Sequence, residues 1–273
     1  MELSSSEFSL LSDFLHSELG IKLPASKRTM LAGRLSKRLR VLAMNSFTAY
    51  CDFVFSPAGH AKELIHLLDA VTTNKTDFFR EPSHFSHLTN MVLPRFLARG
   101  KKHLRIWSAA CSTGEEPYTL AMVLSDFQRR NIGVTFDILA TDVCTRVLEV
   151  ARQAIYPMER VTPVPPEFRK RYLLRGTGEN RPLVRLAPEQ RAKVRFGRLN
   201  FMDGDYRLPS RQHIIFCRNV LIYFDRPTQE TVINRLCQYL EPGGSLFLGH
   251  SESIMGYAVP LVQEAPTVHR RLA

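Results

Sequence analysis

Apolar residues recur at helical spacing through the first 70 residues of the chain. Two stripes show this spacing: Phe8, Leu11, Leu15 and Leu19, then Leu31, Leu35, Leu39 and Leu42. Apolar positions three or four residues apart lie on one face of an α-helix, so each stripe predicts an amphipathic helix. Gly20 is a typical end for the first of them. With further helices predicted over 47–54 and 61–70, this part is predicted to be a small helical domain.

The pattern then changes to short apolar strands that alternate with amphipathic helices. Strands are predicted over 104–107, 136–141, 213–217 and 245–249, and helices over 84–99, 118–130, 144–153 and 226–240. Such alternation is typical of an α/β fold with a mainly parallel sheet. Residues 183–186 and 193–199 alternate like strands with a turn between them, which predicts a small antiparallel element inserted within about 172–196. A final hairpin is predicted over 259–263 and 267–271.

Composition places the chain among ordinary globular proteins, with 44% hydrophobic and 23% charged residues in 273. It has no run of about 18 apolar residues that would predict a transmembrane helix, and no secretory signal pattern at the N-terminus. The five cysteines form no Cys-x-x-Cys pair. That spacing argues against structural zinc and predicts reduced thiols in a cytoplasmic protein.

The formal charge of +11 predicts an acidic partner, which can be a nucleic acid, a membrane surface or an acidic protein. The basic residues concentrate between Leu19 and Cys51, where seven occur and no acidic residue is present. Lys27, Arg34 and Arg38 share a helix face that differs from the leucine stripe. A helix surface that only faces solvent would normally carry both signs of charge. The absence of acidic residues here therefore favours a surface that binds an acidic partner over one that only faces solvent.

Candidate chemistry begins where the strand over 104–107 ends. Small residues occupy 108–110, 112 and 114, and a helix is predicted to start near Glu115, with Pro117 in its first turn. A strand, a small-residue turn and a helix start form the first crossover of a nucleotide-binding sheet. Glu115 and Glu116 argue against a phosphate there and favour a cationic group. An ordinary strand–helix turn without a ligand is the alternative, because Gly114 is the only glycine of the fingerprint.

Asp142 follows the next predicted strand, at the position where an acidic residue typically binds ribose hydroxyls. A ribose combined with a positive group and no phosphate predicts S-adenosylmethionine. Polar residues also follow other strands, namely Asn200 and the pair Arg218-Asn219, with Tyr223 close by. Asn200 has an alternative as a turn residue, and Tyr223 as a packed core aromatic. A zinc site and a hydrolase fit poorly, since ligand pairs and a Gly-x-Ser-x-Gly elbow are missing.

Residues 71–81 are polar and aromatic and precede Pro82, which predicts a connector without regular structure. Asn74, Thr76 and Arg80 lie in it beside two phenylalanines. From the residues alone this segment is a linker, although a connector of this chemistry can cover the mouth of an active site.

Four segments of the chain resemble the CheR family of chemoreceptor glutamate methyltransferases. They are TTNKTDFFRE (72–81), WSAACSTGEEPY (107–118), FCRNVLIYF (216–224) and GHSE (249–252). The resemblance covers nearly the full length. It implies an α/β fold, namely a Rossmann-like class I methyltransferase sheet with an inserted antiparallel β-subdomain, preceded by a small all-α N-terminal domain. The implied boundaries are 1–70 for substrate recognition, 71–90 for a linker at the cofactor site and 91–273 for the methyltransferase, with the β-subdomain at about 172–196.

The resemblance also implies the site residues. The cofactor contacts would be Asn74, Thr76, Arg80, Glu116, Asp142, Asn200, Phe201, Arg218 and Asn219, with Glu115 left open as an alternative to Glu116. Arg80 and Tyr223 would position the reacting carboxylate. The basic helix with Arg34, Lys37 and Arg38 would recognise the receptor. The implied cofactor is S-adenosylmethionine without a metal.

The implied partner is the cytoplasmic domain of a chemoreceptor, bound by a monomeric, cytoplasmic enzyme that neither binds nucleic acid nor inserts into a membrane. The loop over 175–182 resembles the β-subdomain loop that, in some members of the family, docks a short peptide at the receptor's C-terminus, so the β-subdomain is a second candidate contact. Two other functions stay open from the residues. Net charge favours a nucleic-acid methyltransferase, whose usual Asn/Asp-Pro-Pro-Tyr turn is replaced here by Arg-Asn-Val-Leu after Cys217. A non-catalytic receptor adaptor is the other.

Overall fold

The computed structural model describes residues 2–273 and begins with a bundle of helices. These helices are α1 (Ser5–Leu19), α2 (Arg28–Val41), α3 (Phe47–Phe55) and α4 (Pro57–Val71). Ser4 caps α1 and exchanges hydrogen bonds with Glu7 in a capping box, and Gly20 ends the helix at a φ of +69°. The predicted stripes are buried against each other, since Leu11, Leu15, Leu31, Leu35 and Leu39 are all 0% exposed. The predicted helical domain is confirmed.

Residues 72–81 contain no helix or strand, as predicted. The helix predicted over 84–99 is divided into α5 (Pro82–His87) and α6 (Leu93–Ala98) by a π-helical turn over Leu88–Val92. Pro94 lies in the first turn of α6, where it has no N–H to donate to the preceding turn. The wider turn accommodates that missing donor.

The rest of the chain forms an α/β unit around a seven-stranded sheet. Its helices are α7 (Glu115–Arg130), α8 (Thr145–Gln153), α9 (Pro166–Tyr172), α10 (Pro188–Arg191) and α11 (Arg226–Tyr239). All strands of the unit are β1 (His103–Ala109), β2 (Thr135–Asp142), β3 (Ile155–Pro157), β4 (Leu173–Arg175), β5 (Leu183–Leu186), β6 (Val194–Arg198), β7 (Gln212–Cys217), β8 (Leu240–Leu248), β9 (Leu261–Ala265) and β10 (Val268–Arg271).

The strand order of the main sheet is β6-β2-β1-β7-β8-β10-β9. The first five strands in this order are parallel, and β10 and β9 add the predicted antiparallel hairpin. Buried apolar residues cover both faces of the sheet. Because the parallel strands point the same way, their carboxyl ends meet at one edge.

The inserted antiparallel sheet differs from its predicted position. It consists of β3, β5 and β4, so it begins at Ile155 and ends at Leu186 instead of spanning 172–196. The predicted partner strand over 193–199 corresponds to β6, which pairs in parallel with β2 at the edge of the main sheet. The alternating pattern identified both segments as strands, but alternation alone does not determine which strand is the neighbour.

Hydrogen bonds of backbone and side-chain groups join the helical unit to the α/β unit. Ile21 forms an antiparallel bridge with Phe224, and the Lys22 N–H donates to the Tyr223 carbonyl at 3.1 Å. Asp69 at the end of α4 accepts hydrogen bonds from the Thr145 and Arg146 N–H groups, at 2.9 and 3.1 Å, and so caps α8 from outside. The two units therefore share a wall at the carboxyl edge of the sheet.

Within residues 2–273, every helix is too short or too polar to cross a bilayer.

Candidate active site

A cavity of about 410 Å³ lies between the carboxyl edge of the sheet and the helical unit. This volume is in the usual range for small-molecule sites, about 300–1,000 Å³. Every cofactor residue implied by the sequence lines it: Asn74, Thr76, Arg80, Glu116, Asp142, Asn200, Phe201, Arg218 and Asn219. Tyr223 lines it as well. The structure therefore brings together residues that lie up to 149 positions apart in the chain, between Asn74 and Tyr223.

The small residues after β1 are explained by the shape of the turn. Ala110, Ser112 and Gly114 have positive φ values of 66°, 50° and 97°. A Cβ atom on Gly114 would lie 2.9 Å from both Ala151 Cβ and the Tyr156 hydroxyl oxygen. Gly114 is therefore required for the start of α7 to pack against α8, and the turn keeps its backbone at the cavity wall.

Asp142 is held rigidly at the end of β2. One carboxylate oxygen accepts a hydrogen bond from the Ser112 N–H at 2.8 Å and the other from the Cys144 N–H at 3.0 Å. Burial raises the pKa of this carboxyl group, and the backbone donors oppose that shift. The side chain is 7% exposed and lines the cavity with fixed acceptor oxygens, which suits a ligand that carries hydroxyl groups.

The structure separates the roles of the two adjacent glutamates at the start of α7. Glu116 lines the cavity, where it accepts hydrogen bonds from Ser108 Oγ at 2.7 Å and Arg218 Nη1 at 3.2 Å. Burial raises the pKa of Glu116, and the charge of Arg218 counteracts this. Glu115 is 1% exposed and is paired with Arg160 outside the cavity lining. Glu116 is thus the carboxylate of the pair that faces the cavity.

Three arginines hold the linker over 72–81 by its backbone carbonyls. Arg34 of α2 donates to the Val71 carbonyl and, at 3.1 Å, to the Thr72 carbonyl. Arg160, which follows β3, donates to the Thr76 carbonyl at 2.8 Å. Arg218, which follows β7, donates to the Arg80 carbonyl at 2.6 Å. These contacts come from three different parts of the molecule and fasten the linker along the cavity.

Arg80 and Tyr223, the two residues predicted to position a reacting carboxylate, are both partly exposed. The Arg80 side chain is 33% exposed, and its Nη1 donates to the Lys75 carbonyl at 3.1 Å. Tyr223 is half-buried. Both side chains line the same cavity as Glu116 and Asp142.

Arg218 is the centre of a buried ion-pair network. Its side chain is 2% exposed, pairs with Glu81 at 2.9 Å and also contacts Glu116. Glu81 further accepts a hydrogen bond from Asn219 Nδ2 at 3.2 Å. Burial opposes ionisation of Glu81, but the charge of Arg218 and the hydrogen bonds from Arg218, His250 and Asn219 together outweigh it, so the pKa of Glu81 is lowered. The positive charge of Arg218 is therefore matched by two carboxylates, and its function in the fold is to fix the cavity wall.

Glu252 and Glu81 are structural members of the site that sequence reasoning did not assign, although both lie in the quoted segments. Glu252 is 6% exposed and accepts hydrogen bonds from four backbone N–H groups: Gly249 at 2.6 Å, Asn219 at 2.9 Å, Val220 at 2.8 Å and Leu221 at 2.7 Å. Burial raises the pKa of Glu252, against the effect of these donors. The carboxylate thereby shapes the turn that presents Arg218 and Tyr223.

Asn200 and Phe201 complete the wall near the helical unit. Asn200 Nδ2 donates to the Glu18 carbonyl at 2.6 Å, and its Oδ1 accepts from the Met202 N–H at 3.1 Å. The amide is therefore bonded to α1 and also lines the cavity. Lys22 and Lys27 reach the same cavity from the helical unit. They belong to the basic stretch noted in the sequence, but periodicity gave no sign that they approach this site.

The residues predicted to bind substrate lie outside the cavity lining, and two of their charges are used within the chain. Arg38 pairs with Glu63 at 2.7 Å, and the Tyr50 hydroxyl also donates to Glu63. Arg34 holds the linker, as described above. The predicted free basic face is corrected accordingly, because α4 and the linker pack against that side of α2. Lys37 is exposed. A role in substrate binding stays a prediction for all three.

One group of side chains resembles a metal site. Ligand atoms of Glu81, His84 and His250 lie within 4.8 Å of one another. However, the Glu81 oxygens already accept hydrogen bonds from Arg218, Asn219 and the His250 N–H. The cluster is better described as part of the Arg218 network.

Comparison with known proteins gives one family for both units. The family model described as CheR methyltransferase, SAM binding domain, matches residues 74–265, and the model described as CheR methyltransferase, all-alpha domain, matches residues 6–72. Three relatives are similar over most of their length.

The relative named chemotaxis protein methyltransferase 2 in Pseudomonas aeruginosa is 40% identical, covering 91% of this chain and 87% of that protein. The chemotaxis protein methyltransferases of Klebsiella aerogenes and Escherichia coli are 41% and 40% identical, each covering 93% of this chain, with 85% and 86% of those proteins. A solved glycopeptide N-methyltransferase complexed with sinefungin shares 14% identity, covering 67% of this chain and 58% of that one, at a TM-score of 0.35. That likeness is too weak to support an argument.

Proposed function

The chain belongs to the CheR methyltransferase family, and on that premise we propose that it methylates glutamate side chains on the cytoplasmic helices of chemoreceptors. The products would be glutamate methyl esters and S-adenosylhomocysteine. The observation that carries the proposal is the cavity itself, which is lined by every residue that the resemblance implies for the cofactor. The relatives' names, which refer to chemotaxis, support the substrate class.

The residues present fit S-adenosylmethionine. Glu116 faces the cavity with a carboxylate that suits the positively charged amino group of the methionine part. Asp142 offers fixed acceptor oxygens for the ribose hydroxyls. Asn74, Thr76, Arg80, Asn200, Phe201, Arg218 and Asn219 would complete the binding wall. When bound, S-adenosylmethionine supplies a methyl group on a positively charged sulfur.

The protein's contribution to the reaction would be orientation and exclusion of water. A glutamate side chain has a reference pKa near 4.3, so the acceptor is ionised at neutral pH and needs no general base. Two opposite charges disappear as the ester forms, and water stabilises the separated charges, so a dry cavity favours the transition state. Arg80 would position the carboxylate without pairing tightly with it, and the Tyr223 hydroxyl would donate to the oxygen that does not attack.

The proposal also includes the organisation of substrate binding. Residues 1–70 would recognise the receptor, 71–90 would act as a linker at the cofactor site and 91–273 would form the methyltransferase, with the inserted β-subdomain at the corrected position, 155–186. Lys37, which is exposed on α2, would attract an acidic receptor helix, with Arg34 and Arg38 beside it as further predicted contacts. The loop over 175–182 would dock a receptor's C-terminal peptide. The enzyme would act as a cytoplasmic monomer.

The test is transfer of labelled methyl from S-adenosylmethionine to a chemoreceptor cytoplasmic fragment. We expect base-labile label that is lost when the candidate glutamates of the fragment are changed to alanine. Asp142→Asn should weaken binding of S-adenosylhomocysteine about 10- to 100-fold, because hydrogen bonds to a charged group contribute about 1.5–3 kcal/mol. Asp137→Asn is the matched control, since Asp137 lies on the same strand away from the cavity.

Label that appears on a nucleic acid and not on the receptor fragment would favour the nucleic-acid alternative. Binding of the receptor fragment without any binding of S-adenosylhomocysteine would favour the adaptor. Raising the salt concentration should weaken receptor binding while leaving cofactor binding nearly unchanged, because only the former depends on exposed charges.

A further inference from the structure

Arg160 makes contacts that no feature of the sequence had assigned. It lies in a short 3₁₀ turn, Met158–Val161, directly after β3 of the small sheet. Its Nη2 donates both to the Thr76 carbonyl, at 2.8 Å, and to the Glu115 carboxylate. Its Nη1 lies 3.4 Å from Asp77 Oδ1. One guanidinium therefore joins the linker to the first residue of α7.

The three partners of Arg160 lie in the cavity wall or next to it, and Asp77 is one of the lining residues. Thr76 itself lines the cavity, and Glu115 precedes Glu116, whose carboxylate faces it. Glu115 is 1% exposed, so its charge needs a partner, and Thr113 Oγ1 supplies only a neutral donor at 2.6 Å. The Tyr156 hydroxyl reinforces the connection by donating to the Thr113 carbonyl at 2.7 Å.

We propose that Arg160 is a positioning residue for the cofactor site. By holding the Thr76 carbonyl and the Glu115 carboxylate together, it fixes the linker on one side of the cavity relative to Glu116 on the other. It touches no reacting atom, since its side chain is absent from the cavity lining. The planar guanidinium suits this role because it donates to several acceptors in fixed directions, which a lysine ammonium does not reproduce. The inference rests on the proposed function, because it assigns the cavity to S-adenosylmethionine.

The experiment compares full-length variants by calorimetry with S-adenosylhomocysteine. Arg160→Gln should weaken its binding about tenfold, the effect of losing one charged hydrogen bond. Arg171→Gln is the matched control: Arg171 lies in the same inserted region and is 38% exposed against 37% for Arg160, but it pairs with Asp126 away from the linker. The control should bind the ligand as the wild type does.

Two further variants separate positioning from general stability. Arg160→Lys retains a charge near Glu115, so it should recover most of the unfolding free energy and only part of the affinity. Combining Glu115→Gln with Arg160→Gln removes the unpaired buried charge, so it should restore stability while affinity stays low. Faster amide hydrogen exchange over 74–80 in Arg160→Gln without ligand would support the same conclusion.

The possible results distinguish this inference from the proposed function. If the wild type binds S-adenosylhomocysteine and Arg160→Gln binds it equally well, the positioning role is wrong and the proposed function stands. If affinity returns together with stability in the Glu115→Gln, Arg160→Gln double variant, the role is structural and the inference is overturned. A wild type that binds no S-adenosylhomocysteine overturns both.

Discussion

At the scale of single residues, the turn after β7 depends on one carboxylate. Glu252 accepts four backbone N–H groups, three of them from consecutive residues 219–221. Asn219 in this turn has a φ of +59°, which costs energy for a side chain other than glycine. The hydrogen bonds to Glu252 offset that cost and hold Arg218 and Tyr223 in place.

Glu252→Gln is therefore expected to destabilise the protein. The amide has one acceptor oxygen in place of two and presents its NH₂ donors to backbone donors, so the loss should be about 2–4 kcal/mol of unfolding free energy. Urea unfolding at neutral pH measures it. Glu241→Gln is the control, because Glu241 forms a half-exposed pair with Arg105 at 3.2 Å. Equal unfolding midpoints for the two variants would contradict the assigned role of Glu252.

The residue types in the sequence predicted much of this site, but they did not predict which way each side chain points. Asp142 and the small residues after β1 were recognisable, because the chemistry of a strand end restricts which side chains fit there. Glu115 and Glu116 were equivalent in the sequence. Neighbouring helix residues point about 100° apart, so the choice depends on how α7 is rotated against its surroundings. Likewise, the use of Arg34 and Arg38 within the chain depends on α4 and the linker, which periodicity on α2 does not describe.

At the scale of elements, α8 takes its cap from another unit of the molecule. Cys144, at the N-cap position, makes no side-chain cap, and Asp69 of α4 supplies the acceptors instead. Thr145 Oγ1 also donates to Asp69, at 2.9 Å. The helix that follows Asp142 is thus stabilised by the helical unit.

Asp69→Ala should lower the unfolding free energy by about 1–2 kcal/mol, the usual effect of losing a helix cap. Amide hydrogen exchange should accelerate at residues 145 and 146, whose N–H groups lose their acceptor. Asp52→Ala, at an exposed position on α3, serves as the control. Unchanged exchange at these two amides would show that α8 does not need this cap.

Elements were predicted well where a long periodic pattern existed, and less well where pairing determines the fold. The helices α1, α2, α7 and α11 follow apolar stripes and caps that act locally. The error concerned β6, whose strand character was recognised but whose partner was not. The parallel pairing of β6 with β2 is a contact between segments that are distant in the sequence, so a local pattern does not reveal it. The strand β3 has only three residues, which are too few to show an alternating pattern.

At the scale of the whole molecule, buried histidines make stability depend on pH. Burial, together with the charge of Arg218, lowers the pKa of His84 to about 4, and burial with Arg105 lowers that of His213 to about 4. Between pH 6.5 and 4 the unfolded chain binds protons that the folded chain does not, so stability falls as the pH falls. Each histidine contributes about 1.4 kcal/mol per pH unit in this window.

Urea unfolding at pH 7 and pH 5 tests this dependence. The raised pKa values of Glu116, Asp142 and Glu252 act in the opposite direction, so the informative quantity is the difference between variants. His213→Asn, which keeps an acceptor for the Arg105 N–H, should lose less stability than the wild type over this interval. His60→Asn, at an exposed position on α4, is the control. The same loss in wild type and His213→Asn would exclude this source of pH dependence.

Three arginines from outside the linker (72–81) hold it in place, and this affects which substitutions the linker can accept. The arginines donate hydrogen bonds to main-chain carbonyls; they are Arg34, Arg160 and Arg218. A main-chain carbonyl is present whatever side chain the residue carries. Thr73, Asp77 and Glu81 also bind these arginines through their side chains. Substitution of a linker residue without such a side-chain contact, such as the exposed Lys75, therefore leaves the main-chain hydrogen bonds intact and can alter ligand chemistry without detaching the segment. The main-chain part of the attachment is thus encoded outside the segment that it holds, in three arginines that should tolerate substitution less well than most linker side chains.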